Sequence, residues 1–159
     1  MTRTRSRLWR ERRIAIHYPH DKNEKLKQRD NSSLDTNDYV GKGKQCMKTL
    51  LELAEQGGYV CAQHHPHPEW MLGLVRPNSR IELMRGTWGD RSGLEGRTAI
   101  LKTLRLSNVQ FVDPLDYARL SVGRPRQGTI VQWHLAGKTV ENLVRGRRSK
   151  PELSDLLPR

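Results

Sequence analysis

The segment from Lys44 to Val60 constrains the fold of this chain more than any other. Cys46, Met47, Leu50, Leu51, Leu53 and Ala54 recur at spacings of three and four, the pattern of a helix with one buried face. Gly57-Gly58 supplies a stop signal, so a helix is expected over Lys44–Gln56. The segments beyond this helix are short and β-like. Tyr59–Gln63, Trp70–Val75, Ile81–Arg85, Thr98–Leu106 and Val109–Val112 carry β-branched or alternating apolar residues between turn-forming stretches. Ahead of the helix, Arg13–Tyr18 reads as a strand closed by Pro19. Asp113-Pro114 suits the cap and first turn of a short helix through Leu120. One clear helix with many short strands predicts an α+β fold: a small, strongly curved β-sheet or barrel with a few helices packed outside.

A chain of 159 residues suits one domain. Residues 1–7 alternate Arg with small polar residues and are expected as a disordered basic arm. Residues 8–145 are expected to form the single domain, and residues 146–159 a charged, flexible tail. His20–Gly43 is a long polar connection, Gly86–Gly96 a Gly- and Arg-rich loop, and Thr129–Leu135 and Thr139–Val144 read as short helices.

The charge balance speaks to partners. There are 29 Lys and Arg against 17 Asp and Glu, a formal charge of +12, which favours DNA or RNA. No apolar run or basic amphipathic helix of useful length marks a membrane partner. The Arg-rich start lacks the apolar core of a secretory signal, and two cysteines are too few for a disulfide scaffold, so a cytoplasmic location is expected.

The candidate nucleic-acid-binding residues combine charge with rings. Arg7, Trp9, Arg10 and Arg13 lead into His17 and Tyr18; Trp88 and Arg91 share a glycine-rich loop; Arg124 and Arg126 flank Pro125. Arginine pairs bidentately with phosphate, and Trp or Tyr can stack on an unpaired base. The bland alternatives are that Trp9 plugs the bottom of a barrel, that Trp70 and Trp133 are core, and that Arg124 and Arg126 decorate a solvated turn.

Histidines offer a rival chemistry. Cys61, His64, His65 and His67 lie close together, with His17 and His20 as a second pair. The ligand types suit zinc, but structural zinc sites usually draw on two well-separated pairs. A solvated hairpin tip stiffened by prolines is the simpler reading. A metal-dependent HNH-like nuclease using this loop is the alternative function; the hairpin-helix unit such nucleases need does not follow the histidines. A basic adaptor that binds a protein partner is the third. No serine elbow or phosphate-cradling glycine loop is present, and the sequence points to no cofactor, metal or catalytic residue.

Three segments resemble the PUA-like superfamily, in particular the EVE and YTH-like readers of modified bases. They are Trp9–Pro19, Lys44–Val60 and Met71–Val75, about half the chain. The resemblance implies a small curved barrel that binds DNA or RNA, with a modified or flipped base held in an aromatic-lined pocket and a link to restriction or defence. Tyr18 would stand at the pocket end of the first strand, and Trp88 would supply a stacking ring. An accompanying effector protein fits the same picture. His17-Tyr18 stands where relatives commonly have tryptophan, and the His-Pro-His hairpin and Gly123–Trp133 have no clear counterpart.

Overall fold

Among residues 3–16, 32–64, 67–88 and 97–120, which the computed structural model describes, six strands form two antiparallel three-stranded sheets. The elements run in chain order as α1 (Arg3–Arg10), β1 (Arg13–Ile16), a short 3-10 turn (Thr36–Asp38), α2 (Gly41–Gln56), β2 (Gly58–Gln63), β3 (Trp70–Val75), β4 (Glu82–Trp88), β5 (Arg97–Arg105), β6 (Ser107–Val112) and α3 (Pro114–Leu120). One sheet has the order β1-β5-β4 and the other β2-β3-β6.

The expected helix is present and starts at Gly41, three residues earlier than expected. Cys46, Met47, Leu50 and Ala54 of α2 are buried in the main core with Ile14 and Ile16 of β1, Met71 and Val75 of β3, Leu104 of β5, and Tyr39 and Leu106. The helix therefore fills the space between the two sheets. Gly57 ends it in the left-handed region at φ +74°, with its N–H on Leu53 O at 2.8 Å. A Cβ there would sit 2.7 Å from the carbonyl oxygen of Val75, so both the turn and the close approach of β3 require glycine.

The α+β class holds, but the strands do not close into a barrel. β5 and β6 are nearly continuous in sequence, yet each pairs in its own sheet: β5 with β1 and β4, β6 with β3. At the break, the Leu106 N–H bonds to Arg12 O at 2.8 Å, which continues the β1–β5 register one residue beyond Arg13 and Arg105. The chain thus changes sheets at one residue, and a bulge between Leu72 and Leu74 bends β3 to receive it.

Residues 3–10 are helical, whereas the sequence predicts an arm that is disordered through residue 7. Leu8 packs with Met84 and Leu101, supported by Ala15, in a second cluster on the far face of the β1-β5-β4 sheet. Thr4 is also buried, and β4 admits it because residue 86 is glycine: a Cβ at Gly86 would lie 2.7 Å from Thr4 Cγ2. That sheet is therefore covered on one face by α1 and on the other by the main core.

At the other end, α3 is capped as its sequence predicts. Asp113 Oδ1 accepts the Asp116 N–H at 2.8 Å. Tyr117 then stacks on Trp70, with ring centroids 3.4 Å apart and planes 7° from parallel, fastening α3 to the start of β3. The described part of the first strand ends at Ile16. No helix among the described residues is long and apolar enough to cross a membrane.

Candidate nucleic-acid interface

Helix α1 is held by Thr4 and Leu8, one turn apart, so the intervening Arg7 and the following Arg10 face solvent. Its first turn carries no acidic residue to offset the positive end of the helix dipole. That arrangement costs helix stability and concentrates positive potential at this end of the molecule. Arg7 Nε pairs with Glu11 Oε2 one turn on. Hydrogen bonding from Arg7, opposed by partial burial and helped by the charge of Arg13, holds the Glu11 carboxyl below its usual range.

Arg13 has a different role from the one its sequence position suggests. It is 4% exposed, on the α1-facing side of the sheet. Its Nη1 donates to Thr103 Oγ1 at 3.1 Å and lies 3.2 Å from Glu82 Oε2, and its Nη2 reaches Glu11 Oε1 at 3.0 Å. Glu82 in turn takes Arg105 Nε at 2.8 Å. Hydrogen bonding from Arg105 holds the Glu82 carboxyl below its usual range. A guanidinium committed to three protein groups and closed off from solvent is a structural element, not a phosphate clamp.

Trp9 stands at the end of α1 in a cluster of rings. The imidazole of His67 lies flat on it, with centroids 3.7 Å apart and planes within 13°. Phe111 of β6 is stacked at 4.9 Å, and His64 meets Trp9 edge-on at 5.6 Å. The Arg12 guanidinium lies 4.9 Å from the Phe111 ring centroid and 5.9 Å from that of Trp9, with Nη1 on Trp9 O at 2.7 Å. Trp9, Arg12, His67 and Phe111 are all partly exposed, so the cluster reaches the surface. The expected barrel plug is thus a bridge between α1 and the β2-β3-β6 sheet.

His64 is the buried member. Its Nε2 lies 2.8 Å from Arg13 O, which can only accept, so Nε2 carries the proton in the neutral ring. Nδ1 is then a bare acceptor, buried and without a hydrogen-bond partner among the described residues. Burial pushes the His64 pKa below its usual value, and the nearby charges of His67 and Arg12 act in the same direction against its carbonyl hydrogen bonds. The loop that reads as a solvated hairpin tip is in this part folded against Trp9 and Arg13.

Of the metal candidates in the sequence, Cys61, His64 and His67 are described, and His17, His20 and His65 lie outside the described residues. Burial pushes the Cys61 thiol up to about 12. No group of three or more His, Cys, Asp or Glu side chains among the described residues is placed to hold a metal ion.

The remaining expected residues divide in two. Trp88 ends β4 opposite Arg97, so that strand runs further than expected into the glycine-rich segment. His17, Tyr18, Arg91, Arg124 and Arg126 lie outside the described residues. Sequence reasoning did not bring Arg12, His67 and Phe111 together as one site. The signals were present in the basic run Arg10–Arg13 and the His-Pro-His loop, but only the fold brings them together. Comparison with protein-family models, with curated proteins and with solved structures finds no match to this chain.

Proposed function

We propose that this domain binds nucleic acid, with α1 as its basic anchor. The observation that supports the reading best is the way α1 is mounted: Thr4 and Leu8 are buried, while Arg7 and Arg10 are turned outward beside a partly exposed ring cluster. Phosphate contacts from such arginines position a strand without reading its sequence, and rings beside them contact bases. The net charge of +12 adds long-range attraction. In its narrower form, the reading is of a base that has left its stack, modified or not, in DNA or RNA, with Tyr18 and Trp88 as further stacking candidates.

The test is equilibrium binding of labelled DNA and RNA, single- and double-stranded, over a range of salt. For about five neutralised phosphates, the slope of log affinity against log salt is near −4.5 on duplex DNA and about −3.5 on single strands. An affinity that does not change with salt removes the phosphate-anchor reading.

A further inference from the structure

We propose that Trp9, Phe111 and Arg12 form a stacking site for an unpaired nucleobase, and that the His67 imidazole fills this site in the free protein. The inference rests on the nucleic-acid reading above and names the part of the surface that would hold the base.

The first support is the geometry of the plug. His67 and Trp9 are nearly parallel, with centroids only 3.7 Å apart, which leaves little lateral offset between the rings. The stack shows that a flat ring fits face-on against Trp9 at this surface. A five-membered ring covers only part of an indole. A nucleobase is larger and flat, and it can slide to an offset position on the same ring.

The second support is how His67 is held. Its imidazole makes no side-chain hydrogen bond among the described residues; its backbone N–H bonds to His64 O at 2.9 Å. His64 is the fixed end of the loop, buried and joined to Arg13 O. The imidazole of His67, three residues further along and followed by Pro68, is held against Trp9 by stacking, with no side-chain hydrogen bond among the described residues. Swinging it away breaks one stack and leaves the loop's anchor untouched.

The third support is Arg12. It adopts φ +56°, a left-handed conformation that glycine normally occupies at the end of a helix, and it is not glycine. A strained backbone retained at a ring cluster is a reason to look for function in the side chain. The guanidinium it carries has one bond, from Nη1 to Trp9 O; Nε and Nη2 have no partner among the described residues. Those donors lie beside the rings, where a base edge or its phosphate would be.

The experiment uses the full chain as wild type, His67→Ala and Trp9→Leu. Each is titrated against a fluorescein-labelled thymidine homopolymer and an abasic strand of equal length at one salt concentration, with a uridine homopolymer to separate RNA from DNA. Wild type should prefer the base-bearing strand. His67→Ala should bind that strand about two- to tenfold more tightly, the worth of one aromatic pair, with abasic affinity unchanged. Trp9→Leu should abolish the difference between the strands. Equal affinity for base-bearing and abasic strands in all three proteins overturns the stacking site while leaving phosphate binding intact. Binding to none of the strands overturns the nucleic-acid reading and this inference with it. Should Trp9→Leu fail to fold by circular dichroism, the His67→Ala comparison decides alone, and unchanged affinity there overturns the plug.

Discussion

His64 donates its Nε2–H to the carbonyl oxygen of Arg13 at 2.8 Å, tying the loop after β2 to the first residue of β1. One hydrogen bond between residues 51 positions apart thus joins the two sheets at the edge where Trp9 and Phe111 meet. It also fixes the tautomer of the neutral ring, with the proton on Nε2.

Burial of the His64 ring gives stability a pH dependence. The folded pKa of His64 is pushed below the ordinary 6.5, chiefly by burial. The unfolded chain therefore takes up a proton that the folded one resists. The stabilisation is complete above about pH 6.5, falls as the pH drops below it, and is fully lost once the folded pKa is passed. Thermal unfolding followed between pH 8 and 5 should show this decline in wild type. His64→Gln, which keeps a donor for Arg13 O and cannot titrate, should be flatter over the same range. Equal pH profiles would mean that His64 is not the group responsible. Glu11 and Glu82, both held below the ordinary 4.5, add a separate loss only in more acidic solution.

Arg13 and Arg10 should separate stability from binding. Arg13→Ala removes a buried guanidinium that ties together Glu11, Glu82 and Thr103 and should cost about 1–3 kcal/mol in urea unfolding. Arg10→Ala, on the exposed face of α1, should change stability by less than about 0.5 kcal/mol. The same change should make the salt slope shallower by about 0.9 on duplex DNA if Arg10 contacts one phosphate. The reverse pattern would place Arg13, not Arg10, in the interface.

The mounting of α1 depends on the missing side chain at residue 86. Gly86→Ala drives a methyl group to within 2.7 Å of Thr4 Cγ2 and should destabilise the fold by about 1–3 kcal/mol. Thr4→Ala removes the atoms it would strike. Combining the two should recover much of the loss, as read by a double-mutant cycle of unfolding free energies. Strict additivity would show that α1 does not press on β4 at this point.

Much of this fold is legible along the chain. The apolar stripe of α2 and its stop at Gly57, the strand Trp70–Val75 and the Asp113 cap of α3 are local signals, and each appears where its residues put it. The division into two sheets is not local. The strands Thr98–Leu106 and Val109–Val112 are legible as separate segments, but that one pairs with β1 and β4 and the other with β3 is set by distant residues. Helix α1 is hidden for a related reason: its buried face consists of Thr4 and Leu8 among arginines, and it needs Gly86 from a distant strand. A charge at the start of a strand reads as exposed, so the burial of Arg13 is explained only by the carboxylates that α1 and β4 bring to it. The ring cluster draws on residues from α1, the loop after β2 and β6, which no single stretch of sequence unites.

Arg12 offers a further check on backbone against side chain. Arg12→Gly relieves a left-handed conformation worth about 1–2 kcal/mol and removes ring contacts worth about 0.5–1 kcal/mol. Because Arg12→Gly also removes the hydrogen bond from Nη1 to Trp9 O, unfolding in urea should show a stability within about 1 kcal/mol of wild type, while affinity for single strands falls. A clear loss of stability would mean that the guanidinium is mainly a structural brace.

The most direct measurement is the salt dependence of nucleic-acid affinity for wild type and for an Arg7→Gln, Arg10→Gln variant, by fluorescence anisotropy on matched single and double strands. With α1 as the anchor, the variant should bind more weakly at low salt, its slope reduced by about 1.8 on duplex DNA and about 1.4 on single strands, and should unfold at the wild-type temperature. A folded variant with the wild-type affinity and slope would contradict the assignment of α1 as the nucleic-acid anchor.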